Sequence, residues 1–137
     1  MDLVERSYEA FDGLDSDAIL PLYTDDVEWV LGEASLAFGT EAYHGHDGLR
    51  ALVSALGSIF PDWSPTIEEI RSRADGALMV VFRAGGTAQR DEVELGVLAG
   101  QIIEFRDGLI CRVTQTPYPP PGWDEATEVE GEGTESS

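Results

Sequence analysis

The sequence predicts a single α+β domain, with a block of helices followed by a run of antiparallel strands. Three observations carry that prediction. Helical spacing of apolar residues is confined to segments near residues 2–12, 16–23 and 45–60. Period-two spacing takes over from residue 66 onward and culminates in Val93 to Thr116, which reads as two long strands joined by a tight turn. The chain has 137 residues and is 42% hydrophobic. Such a length suits one domain that buries roughly two-thirds of its unfolded surface.

In order along the chain, Asp2 with Glu5 resembles a capping box, and Leu3, Val4, Ser7, Tyr8, Phe11 and Leu14 follow at helical spacing. This predicts a first helix over residues 2–12, ended by Asp12-Gly13. Asp15 or Ser16 caps a second, shorter helix with Ala18, Ile19, Leu22 and Tyr23 on its inner side. Pro21 removes a backbone donor, so that helix is expected to be short or kinked. Asp25-Asp26 ends the helical pair, and Val27 to Leu31 reads as a strand. Residues 32–44 carry two glycines and weak periodicity, which predicts a loop or irregular hairpin. Gly45-His46-Asp47 opens a third helix with Leu49, Leu52, Val53, Leu56, Ile59 and Phe60 on one face, stopped by Pro61. Strands follow at Thr66–Arg71 and Ala77–Arg83, separated by the turn Ala74-Asp75-Gly76.

The final hairpin carries the clearest pattern. Val93, Leu95, Val97, Ala99, Gln101, Ile103 and Phe105 share one face, and only Gln101 is polar. A buried amide costs stability unless it is hydrogen-bonded or faces a wet cavity, so Gln101 marks the place to look for function. The turn is Arg106-Asp107-Gly108, with Gly108 suited to a left-handed conformation. A three-residue loop pairs Phe105 with Leu109 and puts Leu109, Cys111, Val113 and Gln115 on the face of Gln101. A two-residue loop pairs Phe105 with Ile110 instead, so the face assignment depends on the loop. Beyond Tyr118, three prolines and Gly122 interrupt regular structure, and Asp124 to Ser137 carries six acids and no base. Residues 1–118 are therefore expected to form the domain, and 119–137 a disordered Pro-rich and then acidic tail.

The charge balance is extreme, with 27 acidic residues against 8 arginines, no lysine, and a net charge of −19. Such a surface repels phosphate backbones and anionic membranes, so neither nucleic acid nor membrane is expected as a partner. Cys111 is the lone cysteine and permits no intrachain disulfide. No signal peptide or spanning segment is visible, and the expected location is the cytoplasm.

Several stretches together resemble the nuclear transport factor 2-like superfamily, in its SnoaL-like and ketosteroid-isomerase-like branch. They are Tyr8-Glu9-Ala10-Phe11, Leu22 to Trp29, Tyr43 to Arg50, Phe60-Pro61-Asp62-Trp63 and Phe105 to Ile110. The resemblance implies a cone-shaped fold, in which a strongly curved antiparallel sheet wraps around three helices and leaves a central pocket. It also implies homodimerisation through the outer sheet face, where Leu98, Ile102 and Glu104 would lie. It does not imply one activity, because this fold hosts many.

Ketosteroid isomerases use a helix tyrosine, a strand acid and an aspartate base. In this sequence those positions fall on Ser7 (with Tyr8 adjacent), Gln101 and Leu31. Leucine carries no proton, which excludes that isomerase chemistry. The Asp-Arg-Asp arrangement of the limonene-epoxide-hydrolase branch is also missing, since Arg83 is followed by Ala84 and Gly85.

The remaining catalytic candidates are Gln101 as an orienting or polarising group, with His44 and Tyr8 for proton transfer. Histidine titrates near neutrality, although a helix cap or exposed loop is the plainer role for His44 and His46. Tyr8, Trp29, Leu31, Trp63, Phe82, Gln101, Ile103, Cys111 and Gln115 are the candidate pocket residues. Cys111 reads rather as core filler, since an apolar setting favours an inert thiol. No metal site or cofactor is expected. The function expected is a pocket protein that binds or transforms an apolar ring- or carbonyl-containing compound, with any turnover of the isomerase, cyclase or dehydratase kind. The alternative is a non-catalytic homodimeric module with an incidental cavity.

Overall fold

The computed structural model describes residues 2–32, 39–59, 64–83, 87–88, 93–94 and 98–128. Helix α1 spans Asp2–Asp12, as its spacing predicts. Val4, Ser7 and Phe11 form its buried stripe. Leu14 rather than Gly13 takes the left-handed conformation that turns the chain, at φ 52°. Its amide donates to the Phe11 carbonyl at 3.0 Å. Asp15 then caps α2 (Ser16–Ile19), its Oδ1 accepting from the Asp17 amide at 3.1 Å. Proline ends α2 after one turn, and Leu20–Leu22 continue as a 3-10 turn. Ala18, expected on the inner side, is exposed.

Strand β1 (Tyr23–Val30) begins four residues before the sequence pattern does, and takes in Tyr23 and the acidic pair Asp25-Asp26. Tyr23 pairs with Ile110, yet the next paired residue is Glu28, opposite Arg112. The four residues between bow away from the ladder. Arg106 at the hairpin tip binds Asp26 there, holding its carboxyl below the usual carboxylate range. Strand β2 (Ala42–His44) leads directly into α3 (Gly45–Ile59). Leu49, Leu52, Val53 and Leu56 of α3 are buried with the core.

The other strands are β3 (Thr66–Ser72), β4 (Leu78–Arg83), β5 (Thr87–Ala88), β6 (Val93–Glu94), β7 (Leu98–Arg106), β8 (Leu109–Thr116) and β9 (Thr127–Glu128). Of the nine strands among the described residues, seven form one sheet in the order β2-β1-β8-β7-β4-β3-β9, while β5 and β6 pair separately. The sheet is mixed rather than wholly antiparallel, because β1 runs parallel to β8. The long crossover through α3 and the later strands makes that pairing possible. The result is the cone-like α+β fold, with the helices on the concave face. The main core lies between them, from Val4, Phe11 and Leu49 to Val80, Phe82, Ile103 and Val113. No helix among the described residues is long and apolar enough to cross a membrane.

The hairpin corrects the three-residue-loop register. Arg106 pairs with Leu109 and Phe105 with Ile110, which leaves a two-residue Asp107-Gly108 turn. Both turn residues have positive φ, 55° and 81°, as the right-handed strand twist favours in a two-residue connection. Ile110, not Leu109, therefore enters the core, at 0% exposure. One residue later the register slips: Glu104 pairs with Arg112, Ile103 with Val113 and Gln101 with Gln115. Cys111 is the unpaired bulge residue, so it does not share an alternating row with Val113 and Gln115. The bulge is why Val113 and Gln115 return to the face of Gln101 as expected.

The expected domain boundary at Tyr118 lies inside the folded unit. Residues 117–128 cross the outer face of the sheet as a strap. Pro120 is fully buried there and Trp123 is 8% exposed. Trp123 packs with Met79, Val81, Leu98, Ile102 and Ala126 in a second apolar cluster. Arg71 lies over its ring at 4.2 Å and donates to its carbonyl at 2.7 Å. Strand β9 then pairs with β3 at Arg71 and Ser72. A single tryptophan among prolines and acids has no periodicity to announce it, and composition alone reads as tail. Leu98 and Ile102, expected at a dimer surface on the outer sheet face, lie under this strap. Residues 129–137 are outside the described residues.

Candidate ligand site

The site is built on the concave face, where α1 meets β7 and β8. The Tyr8 hydroxyl donates to Gln101 Oε1 at 2.7 Å. Gln101 Nε2 in turn donates to Gln115 Oε1 on the neighbouring strand. Gln101 is 6% exposed, so its amide satisfies the rule that buried polar groups are paired. The Tyr8 ring meets Phe82 edge-on at 5.7 Å between centroids. Trp29 lies deeper, tilted against Phe11 at 5.3 Å and Tyr23 at 6.1 Å. Leu31 and Ile103 are buried in the same cluster. Tyr8 also lines a cleft of about 290 Å³ between α1 (Glu5, Glu9 and Asp12) and the start of β3 (Pro65 to Ile67). It therefore links the molecular surface to the buried amides.

Of the residues singled out from sequence, the structure connects Tyr8, Gln101 and Gln115 by hydrogen bonds and Tyr8 with Phe82 by ring contact. Trp29, Leu31 and Ile103 line the core behind them. Trp63 lies outside the described residues. Cys111 sits at the bulge. His44 is exposed and opposite Glu28, whose carboxylate lies 3.6 Å from Arg112. Cross-strand partners share a face, so His44 belongs to the convex side and is not a pocket group. His46 donates through Nε2 to the Tyr23 carbonyl at 3.1 Å, which gives it a role at the start of α3.

Sequence reasoning missed one pair. Ser7, the position aligned with the isomerase tyrosine, bonds the Tyr23 hydroxyl at 2.7 Å in the buried interior. Tyr8, one residue on, makes the contact to Gln101. Both residues fall within the helix's inner row, so spacing alone does not separate their roles.

The chemistry of the chain of three follows from its protonation. Neither amide titrates. Burial, and secondarily the nearby Tyr23, raises the pKa of Tyr8 well above its ordinary value. Burial does the same for Tyr23, and the Ser7 hydrogen bond only partly opposes it. The site can orient or polarise a hydrogen-bonding ligand, and none of the three can accept a proton at neutral pH. The linkage sign is clear. Groups whose folded pKa is raised contribute stability that is complete below the unfolded value of about 10 and is lost above it. Tyrosinate absorbance from Tyr8 and Tyr23 is thus expected to develop only together with alkaline unfolding. Tyr8→Phe should make the loss of stability above pH about 10 less steep, and ionisation of both hydroxyls with the fold intact, seen in paired absorbance and circular dichroism titrations, would contradict this.

The chain matches the SnoaL-like domain over residues 4–113. It belongs to the SnoaL-like family. The fold of this SnoaL-like domain recurs in many solved structures. One is TerC, co-crystallised with polyporic acid, at 21% identity and a TM-score of 0.74, covering 85% of this chain and 88% of that one. A nuclear transport factor 2-like protein of unknown function from Burkholderia pseudomallei is similar at 20% identity and a TM-score of 0.74, with 85% and 88% covered. A candidate polyketide cyclase from Sinorhizobium meliloti is similar at 16% identity and a TM-score of 0.67, with 85% and 94% covered. At these identities the likeness concerns the fold. No curated protein matches the chain.

Proposed function

We propose that this SnoaL-like domain binds a small apolar, ring-bearing compound through a carbonyl or similar polar group. The observation that carries this reading is the chain from Tyr8 through Gln101 to Gln115, set in an otherwise apolar wall. A protein that needed only a core would fill position 101 with an aliphatic residue, since a buried amide is retained at a cost. Binding is favoured over turnover because the chain of three lacks a base. Any proton transfer must draw on a group outside it. TerC co-crystallised with polyporic acid, and the candidate polyketide cyclase, support a ring-bearing ligand class by fold likeness. The close packing of Trp29, Leu31, Phe82 and Ile103 favours the second reading, a non-catalytic homodimeric module with an incidental cavity.

Gln101→Leu separates the two. The substitution leaves the Tyr8 hydroxyl and Gln115 Oε1 without their partner, each orphan costing about 1–3 kcal/mol if it stays dry. The new aliphatic side chain contributes about 1.5–3 kcal/mol by burial. The balance is a net loss of stability of about 2 kcal/mol. The thermal stabilisation given by binders from a polyketide-, terpenoid- and steroid-like panel should be lost. If those binders stabilise the variant as much as the parent, Gln101 is not part of the site. A panel without any binder favours the second reading.

A further inference from the structure

The hydrogen-bonded chain of Tyr8, Gln101 and Gln115 has a closed middle and two open ends. Gln101 is buried, whereas Tyr8 and Gln115 are each only partly buried. A ligand therefore meets the ends of the chain and not its middle. The Ser7–Tyr23 pair is the contrast, since both members are buried and neither is open to a ligand. Gln101 Oε1 accepts from the Tyr8 hydroxyl, and Gln101 Nε2 donates to Gln115 Oε1. Gln115 thus keeps its own NH2 group for a further partner. Among the described residues, no other side-chain hydrogen bond holds either amide. An amide turned end for end occupies the same space and exchanges its donor for its acceptor. A hydroxyl serves as either, and burial keeps the Tyr8 proton in place. With both amides turned, Gln115 donates to Gln101 and Gln101 to Tyr8, again through two hydrogen bonds. Gln115 then presents its carbonyl oxygen in place of its NH2 group. The two directions differ by no internal hydrogen bond, so a bound group selects between them.

We propose that Gln115 is the residue that touches the ligand, and that the chain behind it reverses to match a ligand acceptor or donor. This rests on the ligand site proposed above and defines the compounds it takes. Gln101 touches no ligand and is a positioning residue that turns together with Gln115. The compounds recognised are apolar rings bearing either an acceptor, as in a ring ketone, or a donor, as in a ring N–H. A site with a fixed NH2 group would take the first and reject the second, because two donors would then face each other unpaired.

The test uses the full chain and three probes of similar size: 1-indanone, which only accepts, indole, which only donates, and indene, which does neither. By equilibrium dialysis the parent should bind 1-indanone and indole within about threefold of each other, and each roughly tenfold tighter than indene. Gln115→Glu replaces the turning amide by a carboxylate that only accepts. It should favour indole over 1-indanone by about tenfold or more. Should that variant fail to fold, side-chain amide NMR of the parent carries the test, with 1-indanone and indole shifting the Gln101 NH2 signals in opposite senses. A parental preference of about tenfold for either polar probe overturns the reversal while leaving the ligand site standing. So does an unchanged ratio in Gln115→Glu, or Gln101 signals that move alike with both probes. Indene bound as tightly as the other two shows that the chain of three is not the contact. If none of the three binds the parent, the ligand site itself fails, and the reversal with it.

Discussion

Replacing Ile110 with alanine is expected to remove about 2–5 kcal/mol of stability, while Leu109→Ala should cost less than about 1 kcal/mol. The contrast follows from the turn. Ile110 is fully buried opposite Phe105, and its side chain has no room to be replaced by solvent. Leu109 pairs with Arg106 on the other face and is only partly buried. Under a three-residue loop the two effects would be reversed. Urea denaturation of the two variants decides between the registers, and equal losses would contradict the bulged hairpin described above.

Gly100→Ala is the second large effect. The new Cβ would lie 2.4 Å from Thr116 Oγ1, 2.7 Å from Pro120 Cγ and 3.0 Å from the Pro117 carbonyl oxygen. The threonine could rotate, but it already donates to Pro117 at 2.8 Å, and a proline ring and a backbone carbonyl yield little. Overpacking of this kind costs about 1–3 kcal/mol. The strain falls where the strap begins, so Trp123 is expected to become more exposed, with its fluorescence shifted to the red. Full stability with an unshifted emission would show that the strap does not rest on Gly100.

Much of the architecture is legible locally. The first helix and the start of the third are marked by caps, glycines and apolar rows whose causes lie within a few residues of the effect. Gln101 is legible for the same reason, as one amide in a row of aliphatics. The choice of Tyr8 over Ser7 as its partner is not, since it depends on how α1 is rotated against β7. The hairpin register turns on one unpaired residue, and β-strand alternation cannot show which residue is in excess. The strap is the extreme case. Trp123 is buried by Met79 and Val81, more than forty positions earlier in the chain, and nothing in its own neighbourhood resembles an apolar face. Properties set by neighbours in sequence were readable, and those set by contacts across the fold were not.

The bulge at Cys111 has a consequence for how the curvature of this sheet can vary. Above it the paired positions sum to one number and below it to the next, as Phe105 with Ile110 and Glu104 with Arg112 show. Deleting Cys111 would leave every other cross-strand partner unchanged and both faces intact. It would remove only the extra bend and twist that a bulge gives its strand. The curvature of the wall carrying Gln101 and Gln115 is therefore adjustable by chain length, independently of the side chains that line it. A one-residue insertion or loss in this hairpin would change the bend of the sheet behind Tyr8, Gln101 and Gln115 while the chemistry of those side chains stayed the same.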